Sequence, residues 1–240
     1  LGEIGGIFWI IHEIGLQLHW GKFQLIQVGC HDAISRPDGA AIERQSGLMY
    51  LGSLVSEDGR ACSELHRRLG VAQGEFRNLS RLWRHSSLGR HRTVLSKLLY
   101  GLPAVWLNAA EKRKLNGFQN RCLRMAWGIK PAYYSRISNA KVLAITRQTS
   151  LEKSLEKRQL LLYGRVARQE DTNPMRAATF IPGTLESATN RYVKKVGRPR
   201  LTWATEVGKL ALKVSGGLKR LNETLFDSGS WRNLLETHYA

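Results

Sequence analysis

The chain has 240 residues, 42% apolar and 23% charged, with seven Trp, seven Tyr and six Phe, which argues against global disorder. That length suits one large domain or two small ones, and folding hides about 70–75% of the chain's surface, so the core needs no covalent staples. Three cysteines cannot build a disulfide framework, and the odd count fits a reducing compartment. No apolar run approaches the roughly 18 residues of a membrane span. The longest, Ile4 to Ile11, ends at His12 and Glu13 and has no basic region before it, unlike a signal peptide. The first residue is Leu, so the chain reads as a piece of a longer one.

Thirty-seven basic residues against nineteen acidic give a formal net charge of +18. The excess is uneven: residues 1–59 carry net −4, 60–130 net +12, 131–200 net +9 and 201–240 net +1. A field of that size attracts polyanions and exceeds what solubility requires.

In chain order, Phe23 to Val28 reads as a β-type run, and Ala41 to Arg44 and Leu48 to Val55 as further strands. Pro37-Asp38-Gly39 and Glu57-Asp58-Gly59 are turn signals. From Ala61 helical periodicity takes over. Leu65, Leu69, Ala72, Phe76 and Leu79 fall on one stripe, with Arg67, Arg68, Arg77, Arg81 and Arg84 mostly off it. Gly70 and Gly74 each cost that helix about 1 kcal/mol relative to Ala. A second helix runs from about Arg92 to Trp106, to be kinked or ended by Pro103. A third begins at Asn108, with Glu111 three residues on as a cap partner, and stops at Gly128. Ser138 caps a short helix containing Val142 and Leu143. Thr149 and Glu152 predict a capping box for a helix through about Arg168. Residues 171–201, with Pro174, Pro182, Gly183, Gly197 and Pro199, read as connector. Helices at Trp203–Val214 and Trp231–Tyr239 close the chain. The fold class expected is α+β, predominantly α: a small antiparallel β unit followed by a basic helical remainder.

The sequence contains no complete active site of a familiar kind. It lacks a Gly-rich phosphate loop followed by Lys-Ser/Thr and a Gly-x-Ser-x-Gly elbow. No close pair of Asp suits a two-metal site. Cys62 and His66 are spaced i, i+4, but no second Cys/His pair has zinc spacing, so no metal site is assigned. The densest basic cluster is Lys194-Lys195-Val196-Gly197-Arg198-Pro199-Arg200. It is open to two readings, a minor-groove hook built on Gly-Arg-Pro or a solvated basic linker. Trp83-Arg84, Trp106 and Tyr133-Tyr134-Ser135-Arg136 interleave aromatics with cations, a pattern that can stack on unpaired bases. For Trp83 and Trp106 core packing is the simpler role.

The order of these motifs resembles the C-terminal part of the reverse transcriptase of non-LTR (LINE-type) retrotransposons. Gly15-Leu16 to Lys22 is similar to a palm segment, and Tyr50-Leu51-Gly52-Ser53-Leu54-Val55 with Asp58-Gly59 to a primer-grip hairpin. The basic helix with Arg67-Arg68-Leu69-Gly70 follows, then Leu98-Leu99-Tyr100-Gly101 and Trp106. Phe118-Gln119-Asn120-Arg121-Cys122-Leu123-Arg124 resembles a Phe-x-x-Arg-Cys-Leu-Arg helix. Ser138-Asn139 with Val142-Leu143 comes next, and Gly197-Arg198-Pro199-Arg200, Trp203 and Trp231 complete an order covering residues 15–235.

The resemblance implies a palm remnant with primer-grip hairpin at 1–59, a basic helical thumb at 60–130, and a C-terminal helical region at 131–240 with a basic Gly-Arg-Pro linker at 190–201. It implies phosphate contacts from Arg67, Arg68, Arg77, Arg81, Arg84, Arg121 and Arg124, with Lys194, Lys195, Arg198 and Arg200 as further nucleic-acid ligands. Tyr50, Leu51 and Gly52 would seat the primer end, and Lys22 stands where the family has an auxiliary palm lysine, although Phe23 follows where Thr is common. The implied partners are RNA and DNA, as primer–template duplex or element RNA, in an intracellular ribonucleoprotein of nucleus or cytoplasm. The family's Tyr/Phe-x-Asp-Asp hairpin, which holds Mg²⁺, is not in this sequence. Mg²⁺ is therefore expected for the full polymerase and no cofactor for this piece, which should not polymerise alone. Two other readings are a free-standing basic RNA- or DNA-binding protein and an inert remnant of a decayed element.

Overall fold

The computed structural model describes residues 19–28, 33–36, 38–80, 89–188 and 201–239, with the backbone alone for 79–80 and 89–93. The expectations at Gly15–Leu18, Arg81, Trp83, Arg84, Lys194, Lys195, Arg198 and Arg200 lie outside the described residues. The chain divides into two compact units, Leu1–Glu64 and Leu65–Ala240. Of the stretch 60–130, residues 60–64 fall in the first unit and the rest in the second, together with 131–240. The class is α+β, predominantly α, with one two-stranded antiparallel sheet among the described residues.

In the first unit the sheet is a hairpin, β1 (Gly47–Tyr50) and β2 (Ser53–Ser56), pairing Gly47 with Ser56 and Tyr50 with Ser53. The expected continuous strand from Leu48 to Val55 is thus two strands. It breaks because Leu51 and Gly52 both take positive φ, 46° and 76°, the type I′ geometry that matches strand twist. Phe23–Val28 and Ala41–Arg44 are not strands; single bridges join Leu25 to Arg44 and Ser35 to Ala41. The turn at Glu57–Gly59 forms, with Gly59 N–H on the Ser56 carbonyl at 2.9 Å. The Glu64 carboxylate accepts from the Leu54 amide at 2.9 Å and anchors the hairpin.

The helices are α1 (Cys62–Ser80), α2 (Gly89–Leu99), α3 (Ala109–Ala126), α4 (Ala132–Ser135), α5 (Asn139–Thr146), α6 (Leu151–Ala167), α7 (Pro174–Thr179), α8 (Trp203–Ser215), α9 (Leu218–Leu225) and α10 (Ser228–His238). In α1 the expected stripe is inward at Leu65, Ala72 and Phe76. Pro103 does end the second helix, which stops at Leu99 and passes into a 3₁₀ turn over Leu102–Ala104. Trp106 therefore lies outside any helix, half-buried beneath the Lys112 ammonium, 4.9 Å from its ring centroid.

The reciprocal box at the start of α3 is present: Asn108 accepts from the Ala110 and Glu111 amides, and Glu111 accepts from the Asn108 amide at 2.8 Å. Gly128, at φ 64°, closes the other end, with the Ile129 amide on the Arg124 carbonyl at 2.8 Å. Ser138 caps α5 as expected.

The expected Thr149–Glu152 box is displaced by one residue. Ser150 is the cap of α6. The Thr149 carbonyl is held by Gln119 Nε2 at 2.8 Å and the Leu151 amide by Gln119 Oε1 at 2.8 Å. One buried amide thus ties the entry of α6 to α3. Helix α6 is the hub of the second unit. Leu160, Tyr163 and Val166 pack with Phe180, Val207, Ala211, Leu221, Leu225, Trp231 and Leu235 from the later helices. Helix α7 sits inside the expected connector, and α9 was not anticipated.

Candidate nucleic-acid interface

From Lys112 to Leu151 the sequence has no Asp or Glu, yet it carries nine Lys and Arg. Helix α3 sorts them by its own geometry. Leu115, Phe118, Gln119, Cys122 and Leu123 are buried, while Arg113, Lys114, Arg121 and Met125 are exposed. At 3.6 residues per turn these exposed positions, with the half-buried Gly117 between them, span about a third of the circumference. That face is therefore cationic and free of carboxylates. The one acid of α3, Glu111, is buried and occupied by its cap.

Helix α1 has a comparable face. His66, Gly70, Val71, Gly74, Arg77 and Asn78 are exposed and Arg67 is half-buried beside them. A side chain at Gly70, Gly74 or Gly117 would meet nothing within 4 Å, so internal packing does not require these glycines. The two helices meet through Lys114 Nζ and His66 Nε2, 2.8 Å apart. This contact joins one side chain of α3 to one of α1.

Two expected phosphate ligands are corrected. Arg68 is 7% exposed; its guanidinium donates to the Lys97 carbonyl at 3.3 Å and stacks on Tyr100, 4.7 Å from the ring centroid. It docks α1 on the end of α2. Arg124, also 7% exposed, is spent on the loop after α3, bonding Lys130, Ser135, Ile137 and Asn139. Periodicity places both off the apolar stripe but does not show that the end of α2 and the loop after α3 cover them. Of the five expected arginines among the described residues, Arg77 and Arg121 are exposed and Arg67 is partly so. Arg113 and Lys114 were not among the predicted ligands. Their signal was legible as the i, i+4 spacing of Arg113, Gly117 and Arg121 within an acid-free run.

Lys112 points the other way, to Glu152 at 3.2 Å and Glu156 at 3.0 Å. Burial pulls its pKa down, but the two carboxylates outweigh this and leave it above the usual lysine value. The C-terminal helices α8, α9 and α10 together carry five Lys and Arg against three Glu. On α8 Lys209 pairs with Glu206 at 2.7 Å, and α7 has its buried Arg176 bonded to Asp171 at 2.6 Å.

In the first unit the hairpin tip is apolar and uncovered: Met49 is 50%, Tyr50 63% and Leu51 76% exposed. Leu51 holds a left-handed conformation that disfavours L-residues by about 1–2 kcal/mol. Lys22 closes a 3₁₀ turn, Trp20–Lys22, with its side chain exposed. Among the described residues no group of three or more His, Cys, Asp or Glu is placed to hold a metal ion. Comparison with protein-family models, curated proteins and solved structures gives no match.

Proposed function

We propose that this chain is the nucleic-acid-holding C-terminal part of a non-LTR retrotransposon reverse transcriptase, gripping a primer–template duplex or the element's RNA through its phosphates. The observation that carries the reading is the carboxylate-free face of Arg113, Lys114 and Arg121, joined to α1 by the Lys114–His66 contact. Phosphates attract such a face without regard to base sequence, and the open glycines on both helices let a backbone approach closely. The uncovered Tyr50–Gly52 tip supports a second contact at a primer end. Mg²⁺ would belong to the Asp-Asp hairpin that this sequence lacks, so the role here is to bind and orient.

The test is charge reversal on the full chain. Arg113→Glu with Arg121→Glu is expected to weaken binding to a random-sequence duplex at least about tenfold, by loss of phosphate contacts and added repulsion. Lys209→Glu with Arg220→Glu, on α8 and α9, which each carry a glutamate beside their lysines and arginines, is expected to change it by no more than about twofold. Equal losses from both pairs would overturn the reading.

A further inference from the structure

The segment between α3 and α5 presents two aromatic rings that the described fold leaves uncovered. Tyr133 and Tyr134 are 68% and 70% exposed, with ring centroids 4.3 Å apart and planes tilted by 42°. A folding chain gains by burying such rings, as it does at Tyr163, which packs edge-on against Phe180. Here the rings contribute little to the core, yet the loop bearing them is firmly built. Arg124 Nη1 donates to the Lys130 carbonyl at 3.0 Å and to Ser135 Oγ at 3.3 Å. Its Nη2 donates to the Ile137 carbonyl at 2.6 Å and to Asn139 Oδ1 at 3.2 Å. The Tyr134 and Ser135 amides both return to the Pro131 carbonyl, at 3.0 and 2.9 Å. The backbone that carries the two rings is thus held before any ligand arrives, which lowers the ordering cost of binding.

The charge around them is of one sign. Lys130, Arg136 and Lys141 are exposed, and no Asp or Glu occurs between Lys112 and Leu151. Arg136 holds a left-handed φ of 56° at the end of α4. Flat rings flanked by cations suit a ligand that offers aromatic faces strung on an anionic backbone.

We propose that Tyr133 and Tyr134 form a stacking platform for unpaired bases, with Lys130, Arg136 and Lys141 holding the adjoining phosphates of a single strand. This rests on the nucleic-acid reading above and assigns to the region a ligand distinct from the duplex. Stacking is tolerant of base identity because every base has a π-face.

The experiment measures anisotropy of labelled DNA binding to the full chain. The probes are a blunt duplex of about 12 base pairs, the same duplex with a tail of about eight thymidines, and one with an abasic tail of equal length. The abasic tail keeps the phosphates and removes the rings to be stacked. The thymidine tail is expected to bind at least about fivefold tighter than the abasic one. Tyr133→Ala with Tyr134→Ala should erase that preference and leave blunt-duplex affinity within about twofold, whereas Tyr133→Phe with Tyr134→Phe should keep it. Equal affinity for the two tails, or a preference that survives the alanine pair, overturns the platform while the duplex reading stands. Failure of the blunt duplex to bind overturns the proposed function itself.

Discussion

A methyl group at Gly164 would lie 2.6 Å from Trp231 Nε1, because that indole N–H crosses α6 to reach the Leu160 carbonyl at 2.9 Å. Helix propensity alone would favour alanine over glycine by about 1 kcal/mol. The contact reverses the sign. Trp231 is 1% exposed, so the indole has nowhere to retreat, and Gly164→Ala is expected to lose about 1–3 kcal/mol by overpacking. Gly74→Ala, with nothing within 4 Å of the added carbon, is expected to gain up to about 1 kcal/mol. Urea denaturation of the two variants should move in opposite directions.

Arg121 and Arg124 are three residues apart on α3 and are expected to fail differently. Arg124→Met strands the Lys130 and Ile137 carbonyls and should cost about 3 kcal/mol, since hydrogen bonds to a charged donor contribute about 1.5–3 kcal/mol each and are lost together. Arg121→Ala, on the exposed face, should leave stability within about 0.5 kcal/mol and weaken binding. Measuring unfolding and duplex affinity on both variants separates a strut from a ligand.

Two carboxylates contribute to the expected acid sensitivity of the second unit. The Arg176 side chain, helped by the Gly183 amide, holds Asp171 below its ordinary 3.8, and Ser230 at the α10 cap does the same for Asp227. A depressed folded pKa means that the stabilisation is present above about pH 4 and is lost as pH falls through the folded values. Melting temperature should therefore fall below about pH 4. Asp171→Asn with Asp227→Asn should flatten that fall, and an unchanged acid limb in the double variant would contradict the assignment.

Burial pushes the Cys122 thiol up to about 12, so at pH 8 it stays protonated and shielded. Cys62 is only half-buried. In a Cys30→Ser background, a disulfide reagent should modify Cys62 in the native protein and Cys122 only after unfolding.

Local rules made much of the helical unit legible. The Asn108–Glu111 box, the Gly128 stop, the Ser138 cap and the Pro103 break each depend on a few adjacent residues, and each stands where the sequence places it. What escaped was set by distant partners. The start of α6 moved to Ser150 because Gln119, on another helix, occupies the Thr149 carbonyl. Arg68 turned inward because the last turn of α2 gave it the Lys97 carbonyl, and Arg124 because the loop after α3 gave it the Lys130 and Ile137 carbonyls. Helix α9 is eight residues long and follows Gly216-Gly217, a pair that reads locally as a break. The site followed the same division: the cationic faces of α1 and α3 are periodic and legible, whereas their junction at His66 and Lys114 is tertiary.

The most direct measurement of the central claim is the salt dependence of binding between the full chain and a random-sequence duplex. If Arg67, Arg77, Arg113, Lys114 and Arg121 on α1 and α3 neutralise about five phosphates, log K should fall linearly against log salt with a slope of about −4.5. Arg113→Ala with Arg121→Ala should make that slope shallower by about 2. A flat response, or a slope untouched by the double substitution, would contradict the account.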